Sequence, residues 1–107
     1  MTQRICFKLQ INPELADEYK ERHTQVWPEM LAALSETGWH NYSLFLDPSG
    51  MLIGYLECED FENSVQLMNK TEINAKWQSS MAKFFVGLDG GAPDGAMSPL
   101  EHIFYLP

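Results

Sequence analysis

The sequence is poor in basic residues and has no long apolar run. Seven Lys and Arg stand against fifteen Asp and Glu, which gives a formal net charge of −8. That charge repels phosphate backbones and anionic lipid surfaces, so we expect no nucleic-acid partner and no membrane partner. No apolar run approaches the ~20 residues of a membrane span, and the first residues lead straight into a strand-like pattern rather than a signal peptide. The sequence therefore predicts a cytoplasmic protein.

Several chemical signatures are also missing. The two cysteines, Cys6 and Cys58, have no Cys-x-x-Cys spacing, and we interpret them as buried free thiols in strands. The three histidines show no His-x-x-x-His or His-Glu-x-x-His spacing, so we predict no bound metal. Phosphate-binding glycine loops, Gly-x-Ser-x-Gly elbows and cysteine-nucleophile motifs are absent as well. Any catalysis must therefore come from residues that do not form one of these motifs.

Alternating apolar residues predict four strands in a single domain that spans residues 1–107. The predicted strands cover residues 4–11, 40–46, 51–59 and 100–106. An Asp-Pro-Ser-Gly sequence between the second and third strands has the residues that a type I turn prefers, so these two strands form a hairpin. A Gly- and Pro-rich loop precedes the last strand.

Helical spacing fills the two segments that connect the first strand to the second and the third strand to the fourth. The first helix begins at Asn12, a good N-cap, kinks or restarts at Pro28 and closes at Gly38. The second segment holds two short helices capped by Asp60 and Thr71. The resulting βαββαβ order predicts a ferredoxin-like α+β domain of two layers: a four-stranded antiparallel sheet with both helical segments on one face.

The second face of this sheet is left uncovered. Cys6 and Lys8 belong to it, and large side chains such as Phe45 or Tyr55 join them, depending on the register of their strands. An apolar face of that size usually binds a partner, and a second copy that stacks sheet on sheet would cover it. The sequence thus predicts a homodimer, with the terminal Phe-Tyr-Leu-Pro at its interface.

The first helix carries the sharpest chemical candidates. Tyr19 and His23 are one turn apart on the face that should be dry, and imidazole transfers protons near neutral pH. Tyr42 and Trp77 converge with them if both face the layer between helices and sheet. Packing explains each residue singly, but the four together favour a small pocket of aromatic walls and polar tips. Such a pocket suits a neutral polyol such as a sugar.

Several motifs together resemble the L-rhamnose mutarotase family over essentially the whole chain. They are Arg22-His23, Trp27-Pro28-Glu29, Gly38-x-His40-Asn41-Tyr42, Trp77 and Phe104-Tyr105-Leu106-Pro107. The resemblance implies a dimeric α/β barrel enzyme that interconverts the α and β anomers of L-rhamnose without a cofactor. It further implies that His23 donates a proton and that Tyr19, Tyr42 and Trp77 contact the sugar.

One position departs from the family pattern. Two adjacent tryptophans are expected in the second helical segment, whereas this chain has Trp77-Gln78, so an amide replaces a stacking surface in the predicted substrate site. A related 6-deoxyhexose such as L-fucose is therefore an alternative substrate. Two further interpretations remain: a cofactor-free or haem-degrading monooxygenase on the same dimeric barrel, and a sugar-binding module without catalysis. The base that assists His23 is open among a carboxylate, Tyr19 and water.

Overall fold

The computed structural model describes residues 2–87 and 97–107. The elements are β1 (Gln3–Gln10), a 3₁₀ turn (Pro13–Leu15), α1 (Ala16–Arg22), α2 (Pro28–Glu36), β2 (His40–Leu46), β3 (Met51–Cys58), α3 (Phe61–Asn69), α4 (Glu72–Met81), a second 3₁₀ turn (Ala82–Phe84) and β4 (Ser98–Pro99). Most of the predicted Gly- and Pro-rich loop, residues 88–96, lies outside the described part. Within that part, no helix has the length and apolar character needed to cross a membrane.

The four strands form one antiparallel sheet in the order β2-β3-β1-β4. This is the strand order of a ferredoxin-like βαββαβ domain, and the predicted α+β fold is confirmed. Each of the two helical segments consists of two short helices, and together these cover one face of the sheet. The Asp47 carbonyl accepts a 2.9 Å hydrogen bond from the Gly50 amide and so closes the predicted hairpin turn.

Local signals set where the first helical segment begins and where it restarts. The Asn12 side chain accepts a 3.0 Å hydrogen bond from the Glu14 amide, and Pro28 opens α2 as its first residue. Trp27, directly before the proline, has the extended backbone that this position favours (φ −57°, ψ 133°). The predicted helix therefore restarts at Pro28 rather than kinking. Residues 23–27 are left as a connection in which His23 directly follows α1.

The core lies between the sheet and the helices. Phe7, Leu52 and Leu56 are almost completely buried on the helix side of the sheet and belong to one buried cluster with Met81. The Phe7 ring lies directly over Gly54 on the neighbouring strand, where the Cβ of any larger residue would overlap it. Glycine at this position therefore allows the aromatic ring to fill the centre of the layer.

The last strand differs from its prediction. Among the described residues of this last segment, only Ser98 and Pro99 pair with β1, and the predicted strand over residues 100–106 is wrong. Beyond the pair, the Leu100 amide donates one 2.8 Å hydrogen bond to the Cys6 carbonyl, after which the chain is exposed. Alternating apolar residues form a stable strand only where a surface covers their apolar side, and residues 101–107 all stay exposed.

The two cysteines occupy opposite faces of the sheet. Cys58 is buried towards the helices, whereas Cys6 is half-buried and lies opposite Tyr55 on the open face. Both thiols are free, as predicted. Burial raises the pKa of the Cys58 thiol. Cys6 is less buried than the sequence suggested, because its face of the sheet carries no helix.

Candidate functional site

His23 lies at the C-terminal end of α1, where the helix stops and its side chain turns back over the last turn. Its Nδ1 atom is 2.8 Å from the backbone carbonyl oxygen of Tyr19. A carbonyl oxygen can only accept, so Nδ1 carries a proton. The Nε2 atom is then the nitrogen that exchanges its proton: it accepts in neutral imidazole and donates in imidazolium.

Aromatic rings surround this imidazole. The Tyr19 ring centroid is 4.4 Å from that of His23, and the Trp77 ring meets His23 edge-on with centroids 5.7 Å apart. Trp27 packs edge-on against Trp77 at 5.1 Å. The imidazole therefore lies between a ring carried by α1 and a ring carried by α4.

A cavity of about 340 Å³ opens beside the imidazole, between the sheet and the helices. Four of the five residues predicted for the site line it: His23, Tyr42, Trp77 and Gln78. The fifth, Tyr19, lines a smaller cavity of about 60 Å³ together with the same four residues. The structure thus brings all five predicted residues together, from α1, β2 and α4.

The remainder of the 340 Å³ cavity is largely apolar. Its apolar walls come mostly from α2 and α3 and include Met30, Leu34, Val65 and Met68. Among the described residues that line either cavity, none is Asp or Glu. Within residues 2–87 and 97–107, no three His, Cys, Asp or Glu side chains lie close enough together to hold a metal ion.

Burial sets the protonation of Tyr19. The residue is 5% exposed, and this desolvation raises the pKa of its phenol. A phenol with a raised pKa keeps its proton at neutral pH. Tyr19 can therefore donate a hydrogen bond at the site, but it is a poor choice for the base.

Two lining residues escaped the sequence analysis. Asn74 is buried in α4, and its Oδ1 accepts a 3.2 Å hydrogen bond from Gln78 Nε2, which forms an amide pair at the cavity wall. Asn74 lies three residues before Trp77 and four before Gln78, so helical spacing places it on their face. This spacing is the feature of the sequence that could have identified Asn74 as a site residue. Trp39, buried just before β2, also lines the cavity and donates from Nε1 to the Ser64 carbonyl at 3.3 Å.

His40 and Asn41, which belong to the same sequence motif as Tyr42, lie outside the cavity. Both side chains are exposed at the start of β2. Asn41 has a left-handed backbone with φ of 49°. Neither side chain is placed to contact a molecule in the cavity.

Comparison with known proteins gives a consistent result. A family model described as L-rhamnose mutarotase matches residues 4–106. The chain is 46% identical over 79 residues to an L-rhamnose mutarotase of Oceanobacillus iheyensis, which covers 73% of this chain and 75% of that protein. It is 39% identical over 97 residues to the L-rhamnose mutarotase of Bacillus subtilis, which covers 90% of each.

Solved structures extend the likeness to the fold. The crystal structure of an L-rhamnose mutarotase from Formosa agariphila superposes with a TM-score of 0.81 at 31% identity and covers 98% of this chain and 99% of that one. Rv0793 from Mycobacterium tuberculosis gives a TM-score of 0.56 at 9% identity over the full length of both chains. The second likeness concerns the fold alone.

Proposed function

The chain belongs to the L-rhamnose mutarotase family, and we propose that it interconverts the α and β anomers of L-rhamnose in the cavity beside His23. The observation that carries this proposal is the position of the imidazole. It lines a cavity of about 340 Å³, with one nitrogen held by the Tyr19 carbonyl and the other left for proton exchange. Acid–base catalysis by a positioned imidazole is what opening a sugar ring requires.

The lining of the cavity suits a 6-deoxyhexose. Polar groups of His23, Tyr42, Asn74 and Gln78 provide hydrogen-bond partners for the hydroxyl groups, and the Trp77 ring provides a surface for the C–H bonds of the sugar. The apolar side chains from α2 and α3 form a wall against which a methyl group packs without leaving a polar atom unpaired. The separation of polar lining residues from an apolar wall supports a sugar with a methyl group at C6.

The reaction needs one proton delivered and one removed. In ring opening, protonated Nε2 of His23 gives its proton to the ring oxygen while the anomeric hydroxyl loses its own, and the bond between C1 and the ring oxygen breaks. Rotation about the C1–C2 bond then presents the other face of the aldehyde. In closure the former ring oxygen attacks C1 and returns its proton to Nε2, and the aldehyde oxygen is protonated. No proton is consumed overall.

We assign the partner base to water. Burial keeps the Tyr19 phenol protonated, which argues against it as the base. The described residues around the two cavities include no carboxylate. A water beside the anomeric hydroxyl can accept its proton during opening and return it during closure.

Saturation-transfer NMR at anomeric equilibrium tests the proposal directly. Saturating one anomeric proton and observing the other measures the exchange rate without a coupled enzyme, and L-rhamnose and L-fucose are compared side by side. We expect faster exchange for L-rhamnose. Faster exchange for L-fucose alone would reassign the sugar, and binding without acceleration would leave only a sugar-binding role. Oxygen consumption with a quinol, or tight binding of haem, would instead favour a monooxygenase.

We also propose that two copies stack through their open sheet faces. Phe45 is 63% exposed there, beside Ile53 and Tyr55 on the neighbouring strand. The exposed tail adds Ile103 and Phe104, which are 85% and 77% exposed. Sedimentation velocity should give a dimer for the native protein and a monomer for Phe45→Glu. A native monomer at all concentrations would contradict this proposal.

We infer that the chain acts as one domain in the cytoplasm. The family match extends over residues 4–106 without interruption, which supports a single domain. The two free cysteines are in the state that a reducing cytoplasm maintains. Fractionation of the source cells tests the location, and activity in the periplasmic or secreted fraction would contradict it.

A further inference from the structure

A second large cavity is formed by α1, the connection that follows it and one residue of α4. It has a volume of about 410 Å³, and we call it the outer cavity. The described residues that line it are Glu18, Glu21, Arg22, Gln25, Trp27 and Trp77. Among these six, only Trp77 also lines the 340 Å³ cavity, so its indole is the wall that the two cavities share. The proposed reaction uses none of the other five.

Two indole rings form the aromatic part of the outer cavity. Trp27 and Trp77 meet edge-on with their centroids 5.1 Å apart. Trp77 is buried, whereas Trp27 is 37% exposed, so part of the Trp27 ring stays open to a ligand. Pro28 restricts the backbone of Trp27 to an extended conformation, which helps to hold this indole in place. An accessible indole face is a surface on which the C–H bonds of a sugar ring can pack.

The polar part of the outer cavity offers both hydrogen-bond donors and acceptors. The Arg22 guanidinium only donates, the Glu21 carboxylate only accepts, and the Gln25 amide does both. All three residues are exposed, so a ligand can reach them without displacing buried side chains. Each hydroxyl group of a sugar also donates and accepts, and neighbouring hydroxyls can therefore pair with this mixed set.

The charges around the outer cavity cancel. Glu18 Oε2 lies 2.7 Å from Lys83 Nζ and 3.3 Å from Arg22 Nη2. Two carboxylates, those of Glu18 and Glu21, thus stand beside two cations. A site without net charge favours neither a phosphate nor an ammonium ligand. A neutral polar ligand suits it best.

We propose that the outer cavity is a second saccharide-binding site, in which a neutral sugar packs on Trp27 and hydrogen-bonds to Gln25 and to the polar side chains of α1. The outer cavity is larger than the one proposed for L-rhamnose, about 410 against 340 Å³, so one monosaccharide unit fits in it. This proposal does not depend on the mutarotase function, because the residues that would bind the second sugar take no part in the proposed reaction.

Side-chain NMR signals can follow the two cavities separately in one titration. The Gln25 amide and the Trp27 indole N–H report on the outer cavity, and the Gln78 amide reports on the 340 Å³ cavity. L-Rhamnose, D-glucose and methyl α-L-rhamnopyranoside, which has no free anomeric hydroxyl, are added in turn. We expect at least one of them to shift the Gln25 and Trp27 signals to saturation. No shift with any of the three, or a shift with choline alone, would overturn the proposal.

A matched pair of substitutions separates binding in the outer cavity from effects transmitted through Trp77. Gln25→Leu removes a hydrogen-bonding group and should weaken the Kd measured at the Trp27 indole N–H by about tenfold. Gln66→Leu, at an exposed position on α3, should leave that Kd unchanged. Neither substitution should alter the Gln78 curve. Equal outer affinity in the two variants would overturn the proposal.

Trp27→Ala provides a second variant, followed at the Gln25 amide. Loss of the indole face should weaken binding in the outer cavity by about tenfold, and circular dichroism checks that each variant is folded. Unchanged affinity in folded Trp27→Ala would contradict the proposed packing of the sugar on this ring.

The same titration distinguishes failure of this proposal from failure of the proposed function. If no sugar binds in the 340 Å³ cavity, the Gln78 signal stays still while the outer curve remains. In Asn74→Leu, which alters only the 340 Å³ cavity, the Trp27 curve should match that of the wild type. A Trp27 curve that weakens in Asn74→Leu but not in Gln25→Leu would place the sugar in the 340 Å³ cavity alone and overturn the second site.

Discussion

The Nδ1 atom of His23 lies 2.8 Å from the carbonyl oxygen of Tyr19, one helical turn earlier. This bond fixes the ring orientation and leaves Nε2 as the nitrogen available for proton exchange. It uses a backbone group at the end of α1, where carbonyl oxygens have no partner within the helix. A helix terminus therefore orients this imidazole, as a carboxylate does in many other enzymes.

Replacing His23 should remove most of the catalysis. His23→Asn removes the acid while keeping a side chain that hydrogen-bonds, so we expect anomer exchange to fall by about 10²- to 10⁴-fold with little change in folding. Saturation-transfer NMR measures the rate, and circular dichroism checks the fold. Exchange at the wild-type rate in a folded variant would rule out this role. Substituting His40, which is exposed outside the cavity, is the matched control and should leave the rate unchanged.

Tyr19→Phe should weaken the reaction less than loss of His23. We expect a decrease of about tenfold in kcat/KM, since one hydrogen-bond donor is lost while the ring and its packing remain. Because burial raises the pKa of the phenol, Tyr19 stays protonated through neutral and mildly alkaline pH. Wild type and Tyr19→Phe should then share the alkaline limb of the pH profile. An alkaline rise present only in the wild type would instead identify tyrosinate as the base.

Asn74→Leu tests the amide pair at the cavity wall. Leucine has a similar shape but no polar atoms, so Gln78 loses the acceptor that it contacts at 3.2 Å. If the pair binds a sugar hydroxyl, we expect KM for L-rhamnose to rise by about tenfold with little change in kcat. Gln66→Leu, at an exposed position on α3, is a control for added apolar surface. An unchanged KM would show that Asn74 serves only packing.

Gly54→Ala should destabilise the fold. The added Cβ would overlap the Phe7 ring, and the cost of such overpacking is typically about 1–3 kcal/mol in the free energy of unfolding. Urea unfolding measures it. Combining Gly54→Ala with Phe7→Leu should cost less than the sum of the two single changes, because the smaller side chain relieves the overlap. Strict additivity would mean that the ring does not limit this position.

Alkylation of the two thiols should show whether the open face of the sheet is the interface between two copies. Cys58 is buried and its pKa is raised by that burial, so iodoacetamide should label it only after unfolding. If two copies stack through the open face, as proposed, Cys6 should be protected in the native protein and labelled in Phe45→Glu. Mass spectrometry distinguishes the two sites. Equal labelling of Cys6 in both proteins would indicate that this face is not the interface.

Much of the fold was accessible from the sequence because its signals are local. Asn12, Pro28, Asp60 and Thr71 act within one helical turn, and each begins a helical element where capping chemistry predicts. The strand order followed from the sequence of elements and the usual right-handed crossovers. Four of the five predicted site residues form two pairs, Tyr19 with His23 and Trp77 with Gln78, and helical spacing puts the members of each pair close together. Tyr42 joins them from β2.

The features that were missed depend on non-local geometry. The alternating apolar residues over 100–106 would form a strand only if another surface covered them. The alternation itself does not show whether such a surface exists. The pairing of β2 with β3 is irregular between His40 and Ser43, and the sequence of β2 alone looks like an ordinary strand. Asn74 was overlooked because a polar residue among helical positions is usually exposed, and only packing of α4 over the cavity buries it.

All three tryptophans of this chain border the cavity or touch a residue that does. Trp39 and Trp77 line it, and Trp27 packs against Trp77. The ultraviolet emission of the protein therefore arises almost entirely at the site, with no distant indole to add a constant background. Trp77 also contacts the His23 imidazole, and the charge of an imidazole affects indole emission. The fluorescence of the protein can therefore report both occupancy of the cavity and protonation of His23. The molecule carries its own optical probe and needs no dye to follow a colourless sugar.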